Sequence, residues 1–120
     1  MLDEPSAALD IEQRVALSKI LKRFFVHNDK TGFIIEHDIM VATTISMQTN
    51  CKIILLEEIK AGKNRVSVAH SSKPFNKGMN SFLKMMNITF SKTKKNNRSR
   101  INKYGSAKDK EQKKMEKYYQ

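Results

Sequence analysis

Two short apolar runs, residues 31–35 and 52–56, each preceded by a stretch with helical spacing, constrain the fold of this chain more than any other feature. Thr31-Gly32-Phe33-Ile34-Ile35 is β-branched and apolar, with no polar residue at alternate positions. A strand of that kind offers no side to water, so it predicts burial on both faces, as in the middle of a parallel sheet. Residues 52–56 predict a second central strand. The helical stretches are residues 11–26, where Leu17, Ile20, Leu21, Phe24 and Phe25 recur opposite Arg14, Ser18, Lys22 and Arg23, and residues 39–46. The order helix, strand, helix, strand predicts an α/β layered domain with right-handed crossovers.

Local signals place the ends. Asp10 followed three residues later by Gln13 predicts an N-cap with its reciprocal partner. The polar quartet at residues 27–30 breaks the first helix. Beyond Glu58 the pattern weakens: residues 65–69 predict an edge strand after a turn at Gly62, and residues 78–87 a helix burying Met79, Phe82, Leu83 and Met86. From Ser91 onward apolar residues are sparse, so that stretch cannot order itself around a core and must borrow a surface or stay mobile.

With 120 residues, the chain has room for one small domain burying roughly two-thirds of its unfolded surface. Its net charge of +11 is unevenly spread. Residues 1–90 carry 12 Lys+Arg against 9 Asp+Glu, and residues 91–120 carry 11 against 3. That excess favours anionic partners, whether nucleic acid, anionic membrane or acidic protein, and says little about fold. The single Cys51 excludes an internal disulfide and a clustered-thiolate metal site; it reads as a small buried hydrophobe in a reducing compartment. The longest aliphatic run is four residues, Ile53 to Leu56, and the opening Met-Leu-Asp-Glu-Pro lacks the basic and apolar order of a signal peptide, so neither export signal nor membrane span is expected.

The chemistry concentrates at Asp3-Glu4, two acids followed by Pro5. Taken alone, the pair is a solvated acidic stretch before a helix. At a strand end it has another use: in phosphoryl transfer one acid can hold Mg²⁺, often through water, and its neighbour can orient or deprotonate the attacking water. Open parallel sheets bind ligands beyond the carboxyl ends of their strands. Leu2-Asp3-Glu4-Pro5-Ser6-Ala7-Ala8-Leu9-Asp10 resembles the Walker B and D-loop stretch of ABC ATPases, and Glu36-His37-Asp38 follows the next apolar strand, where that family places its switch histidine. The resemblance implies that Asp3 is the Mg²⁺-linked acid and Glu4 the catalytic carboxylate. It further implies that Ser6 and Asp10 belong to the D-loop that faces a partner domain, and that His37 senses the γ-phosphate. His27 and His70 lie in no motif and read as structural.

The C-terminal third narrows the branch. Gly78-Met79-Asn80-Ser81-Phe82-Leu83, Ile88-Thr89-Phe90, Arg98-Ser99-Arg100-Ile101-Asn102-Lys103 and residues 106–113 resemble, in order, the C-terminal pattern of the ribosome-recycling ABC ATPases, also called RNase L inhibitors. Between residues 47 and 77 the likeness lapses and the chain runs longer. The resemblance implies a cytoplasmic family of two ABC domains, basic hinges and an N-terminal iron-sulfur domain, which uses ATP and Mg²⁺ to separate ribosomal subunits. Residues 1–90 are then expected to be the C-terminal part of the second nucleotide-binding domain and residues 91–120 a basic hinge. Arg98, Arg100 and Lys103 would meet RNA or the other ABC domain, and the small ribosomal subunit is the implied partner. The iron-sulfur clusters have no place in this stretch.

No G-x-x-x-x-G-K-[ST] loop, Q-loop or signature segment occurs in these 120 residues. The fold expected is therefore a partial, P-loop-NTPase-like α/β domain lacking the Walker A half, with a basic C-terminal tail. Because that missing loop supplies the N–H cradle for phosphates, this stretch is not expected to hydrolyse ATP on its own. It reads as a fragment or truncated homologue of a protein acting in ribosome recycling and translation. The alternative is a non-catalytic basic module that binds ribosomal RNA or docks on a full-length ABC partner. An isolated chain of this kind is expected to be marginal or aggregation-prone.

Overall fold

The computed structural model describes residues 1–93 and 98–120, the side chains of Thr93 and Arg98 excepted. It divides into two compact units, Met1–Cys51 and Lys52–Gln120.

The first unit runs β1 (Leu2–Asp3), α1 (Ile11–Leu21), a π-helical turn (Lys22–Val26), β2 (Ile34–Ile35) and α2 (Ile39–Thr49). The capping box forms as the sequence predicts: Gln13 N–H donates to Asp10 Oδ1 at 2.8 Å, and Asp10 N–H donates to Gln13 Oε1 at 3.1 Å. The helical path continues to residue 26, but its last turn widens. His27 N–H reaches Lys22 O at 3.3 Å and Lys30 N–H reaches Phe25 O at 2.8 Å, both five residues back. Phe25 thereby packs against the core while Phe24 stays exposed. Leu21, Val41 and Ile45 form that core, with Leu17, Phe25 and Ile34 packed on it. Asp38 caps α2, and Asn50 closes it with φ at 49°, the left-handed conformation Asn tolerates.

β1 and β2 pair in parallel, Leu2 with Ile34 and Asp3 with Ile35. The parallel pairing follows the sequence expectation, but burial on both faces does not. Only Ile34 and Ile35 of residues 31–35 are strand, and Phe33 is 61 % exposed. Two strands with helices on one side have no second layer to cover the other face.

The second unit contains β3 (Lys52–Ile53), β4 (Leu56–Ala61), β5 (Asn64–Ala69), β6 (Lys73–Pro74), α3 (Phe75–Met85), β7 (Phe90–Thr93), β8 (Arg98–Ile101) and α4 (Ala107–Lys114). Residues 52–56 are not a central parallel strand: β3 pairs antiparallel with β6, Ile53 opposite Lys73. Ile54 and Leu55 lie between strands, and Leu56 opens β4, which pairs with β5 in a hairpin from Leu56↔Ala69 to Ala61↔Asn64. Gly62, at φ 64°, opens its two-residue loop, a conformation that costs Gly nothing. The short β3–β6 pair carries α3 closely. A Cβ on Gly78 would stand 2.7 Å from Ile53 Cβ, which is held by its backbone and has no flexible end to swing away. Gly78→Ala improves helix propensity by about 1 kcal/mol, whereas overpacking costs about 1–3 kcal/mol, so a net loss of up to about 2 kcal/mol is expected in urea melts. A gain in stability would show that α3 can lift off β3.

Residues 91–93 and 98–120 are ordered by polar groups. Asn102 Nδ2 donates to Thr89 Oγ1 at 3.0 Å and to Gln112 Oε1, and Ser91 Oγ donates to Asn102 Oδ1 at 2.8 Å. Gln112 Nε2 donates to Phe90 O at 3.1 Å and Lys117 O at 2.9 Å. Asp109, 2 % exposed, accepts from Thr89 Oγ1 at 2.7 Å and from Gly105 N–H at 2.9 Å. These residues borrow the apolar surface of Phe90 and seal the rest with a buried network, and among the described residues no buried side-chain nitrogen or oxygen lacks a hydrogen-bond partner.

Candidate catalytic cleft at the ends of two parallel strands

The register of β1 on β2 brings together residues 32 apart in sequence. Glu4 N–H donates to Ile35 O at 2.9 Å, the next rung beyond Asp3↔Ile35, so the chain leaves both strands at the same level. Glu4 then turns with φ at 44°, in the left-handed region that a residue with a Cβ seldom occupies. Two successive turns follow, with Ala7 N–H on Glu4 O and Leu9 N–H on Ser6 O, each at 3.1 Å.

A half-open cleft of about 120 Å³ results, lined by Glu4, Ser6, Ala7, Arg14, Glu36, His37 and Asp38. Glu4 Oε1 and His37 Nε2 stand 2.8 Å apart, with side chains 49 % and 76 % exposed. A contact so open contributes at most about 1 kcal/mol, so the strand ends, and not the contact, place these two groups. Arg14 Nη1 donates to Asp38 Oδ2 at 2.6 Å, while Asp38 Oδ1 accepts the Met40 and Val41 N–H groups of α2. Ser6, fully buried, donates its N–H to Glu36 Oε1 at 3.2 Å.

Of the residues singled out from sequence, Glu4, Ser6 and His37 share the cleft. Asp3 is exposed and does not line it. Asp10 is exposed with its carboxylate engaged in capping α1. Glu36, Arg14 and Asp38 were missed as site residues. The triplet Glu36-His37-Asp38 was a usable signal, whereas Arg14 counted only as part of a polar helix face.

In the second unit Arg100 and Lys103 are exposed, Arg100 pairing with Ser91 in the β7–β8 hairpin. The backbone of Arg98 belongs to β8, but its side chain, like Lys94 and Lys95 entirely, lies outside the described residues. The positive charge belongs to this whole unit: residues 52–120 carry 18 Lys+Arg against 5 Asp+Glu, residues 1–51 carry 5 against 7. Cys51 is half-buried, and burial pushes its thiol up from the ordinary value against the lowering hydrogen bonds of Thr49 and its own backbone, so it is no reactive thiolate. His70 pairs with Glu57 at 2.8 Å across the β4–β5 hairpin.

No protein-family model matches the chain. It is 47 % identical over 119 residues, 99 % of its length, to ABC transporter E family member 1 of Arabidopsis thaliana. The chain belongs to the E family of ABC proteins. A second relative, translation initiation factor RLI1 of Saccharomyces cerevisiae, is 45 % identical over 121 residues. The chain spans 19 % and 18 % of the lengths of these two relatives. Among solved structures, archaeal ribosome recycling factor aABCE1, in complex with ribosomal stalk protein aP1, superposes with a TM-score of 0.79 at 36 % identity over 99 % of this chain and 22 % of its own. A structure titled as ribosome-bound archaeal Pelota and ABCE1 matches with a TM-score of 0.83 at 37 % identity over 98 % of this chain and 19 % of that one. The mixed helix and strand arrangement is therefore that of part of an E-family ABC protein. No helix among the described residues is long and apolar enough to cross a membrane.

Proposed function

We propose that residues 1–90 form the C-terminal part of the second nucleotide-binding domain of an E-family ABC ATPase acting in ribosome recycling and translation, and that residues 91–120 form its basic hinge. The observation that carries this reading is the 2.8 Å approach of Glu4 to His37 at the ends of two parallel strands. Glu4 is the carboxylate that orients or deprotonates the attacking water. His37, with one nitrogen on Glu4, has its other nitrogen left for a terminal phosphate. Asp10 and Ser6 present the D-loop to a partner domain. The boundary at residue 90 is one of family correspondence; compactness divides the chain at residue 51.

Among the described residues no grouping of three or more His, Cys, Asp or Glu is placed to hold an ion. Mg²⁺ brought by a nucleotide needs only one or two protein carboxylates, its remaining ligands being water and phosphate oxygens. Asp3, exposed at the strand end, fits that donor set. Bound Mg²⁺ and ATP would supply a polarised terminal phosphate. The cradle for that phosphate must come from outside these 120 residues, so the chain alone does not hydrolyse ATP. Arg98, Arg100 and Lys103 contact RNA or the other ABC domain, the small ribosomal subunit being the partner in the cytoplasm. The family's iron-sulfur clusters lie elsewhere, since the one thiol here is Cys51.

A chimera tests the assignment: the matching C-terminal stretch of yeast RLI1 is replaced by this chain and ATP hydrolysis is followed. The chimera is expected to turn over ATP, and Glu4→Gln or His37→Ala to lower kcat by about 10²–10⁴-fold. Full activity in both variants, or Glu4-dependent turnover by the 120 residues alone, would overturn it.

A further inference from the structure

Glu4 and His37 touch through an exposed contact that contributes little against solvent, and Glu4 holds a left-handed backbone conformation that persists only when its surroundings over-determine it. Two side chains outside the assigned machinery supply that constraint. Glu36, beside His37, reaches across to accept the buried Ser6 N–H. Arg14, on α1, donates from Nε to Leu9 O at 3.0 Å and from Nη1 to Asp38 Oδ2 at 2.6 Å. One tether grips the start of the segment after Glu4 and the other its end, and both terminate on the loop that carries His37. Asp38 is itself immobilised by capping α2.

We infer that Glu36 and Arg14 are positioning residues that fasten residues 6–9 to residues 36–38, so that the catalytic carboxylate and the switch histidine move as one body. The inference rests on the roles proposed above for Glu4 and His37. Its consequence is directional: a partner that presses on the stretch ending at Asp10 shifts His37 as well, because Arg14 spans Leu9 and Asp38. An Arg serves here where a Lys would not, since its planar fork makes both bonds at once.

The test uses the full chain, isotopically labelled, with Glu36→Gln, Glu36→Ala and Arg14→Lys, and Glu12→Gln as a control on the same helix. Ser6 amide exchange, the nuclear Overhauser contact between the Glu4 side chain and the His37 ring, and the melting temperature are read together. Losing a charge-assisted bond is expected to speed Ser6 exchange by about 10-fold or more in Glu36→Ala, and Glu36→Gln, which keeps a neutral acceptor, by less. Arg14→Lys keeps the charge on Asp38 but loses the Leu9 bond, so the Glu4–His37 contact should weaken while the melting temperature holds. If Glu36→Ala does not fold, Glu36→Gln and Arg14→Lys decide. Unchanged Ser6 exchange and an unchanged Glu4–His37 contact in the folded variants would overturn the inference, as would losses that merely track a falling melting temperature. An inactive chimera with these couplings present would instead refute the catalytic assignment and leave the tether standing.

Discussion

Phe90→Ala is expected to remove most of the stability of the second unit. Phe90 is 0 % exposed, and its ring stacks on Tyr119 with centroids 5.2 Å apart and planes 8° from parallel. Its backbone ties three pieces of chain together: Phe90 N–H donates to Tyr118 O at 2.7 Å, and Phe90 O accepts from Gln120 N–H and Gln112 Nε2. Truncating a buried Phe costs about 3–5 kcal/mol, against a total of about 5–15 kcal/mol for an ordinary domain. Few other apolar side chains of this unit are fully buried, Met79 and Leu83 among them, so the site cannot refill itself. All three tyrosines, Tyr104, Tyr118 and Tyr119, lie in this unit, so tyrosine fluorescence during urea unfolding reports it selectively. A loss below about 1 kcal/mol would mean that Phe90 is not the centre of this core.

The second large effect is expected in the polar network. Asn102→Ala strands the Ser91 hydroxyl and the Gln112 carbonyl, both buried, and should cost about 3 kcal/mol. The network also makes the unit acid-sensitive. The hydrogen bond from Thr89 holds the Asp109 carboxyl below its ordinary value of 3.8, helped by the Gly105 N–H and by Lys113 at 3.0 Å, and outweighs the burial that opposes them. A carboxylate with a lowered folded pKa adds stability above the ordinary value and loses it as pH falls through the folded one. Urea midpoints followed by tyrosine fluorescence should therefore hold from pH 7 to about 4.5 and fall below about 4. In Asp109→Asn the unit should start weaker, because an amide nitrogen cannot accept the Gly105 N–H, and this part of the acid loss should vanish. An identical acid profile in that variant would place the sensitivity elsewhere. Glu116, lowered by its bond to Lys84 at 2.9 Å, is exposed and should contribute little.

Local signals were legible to the residue. The capping box at Asp10 and Gln13, the helices beginning at residues 11 and 39, and the turn at Gly62 depend on side chains reaching their own backbone or on one residue's φ, and short-range chemistry of that kind is written in order along the chain. The strands were less so. The same apolar wording at residues 52–56 serves β3, pairing antiparallel, and then the start of a hairpin, because alternation reports burial and not partner. In the tail, Asn102, Asp109 and Gln112 look like solvated residues until a fold brings them to Thr89 and Ser91.

The candidate site divides along the same line. Asp3-Glu4 and Glu36-His37-Asp38 are readable as two short acidic and histidine-bearing stretches, and their resemblance to ABC motifs names the family that the comparisons then showed. What only tertiary structure decided is that β1 and β2 run parallel in a register that sets Glu4 against His37, leaves Asp3 outside the cleft, and lets Arg14 and Glu36 span the two loops. The physical reason is range. Capping, turns and burial preference act over a few residues and survive in the sequence as patterns, whereas a 2.8 Å contact between residues 33 apart exists only once strand pairing has brought the two ends together.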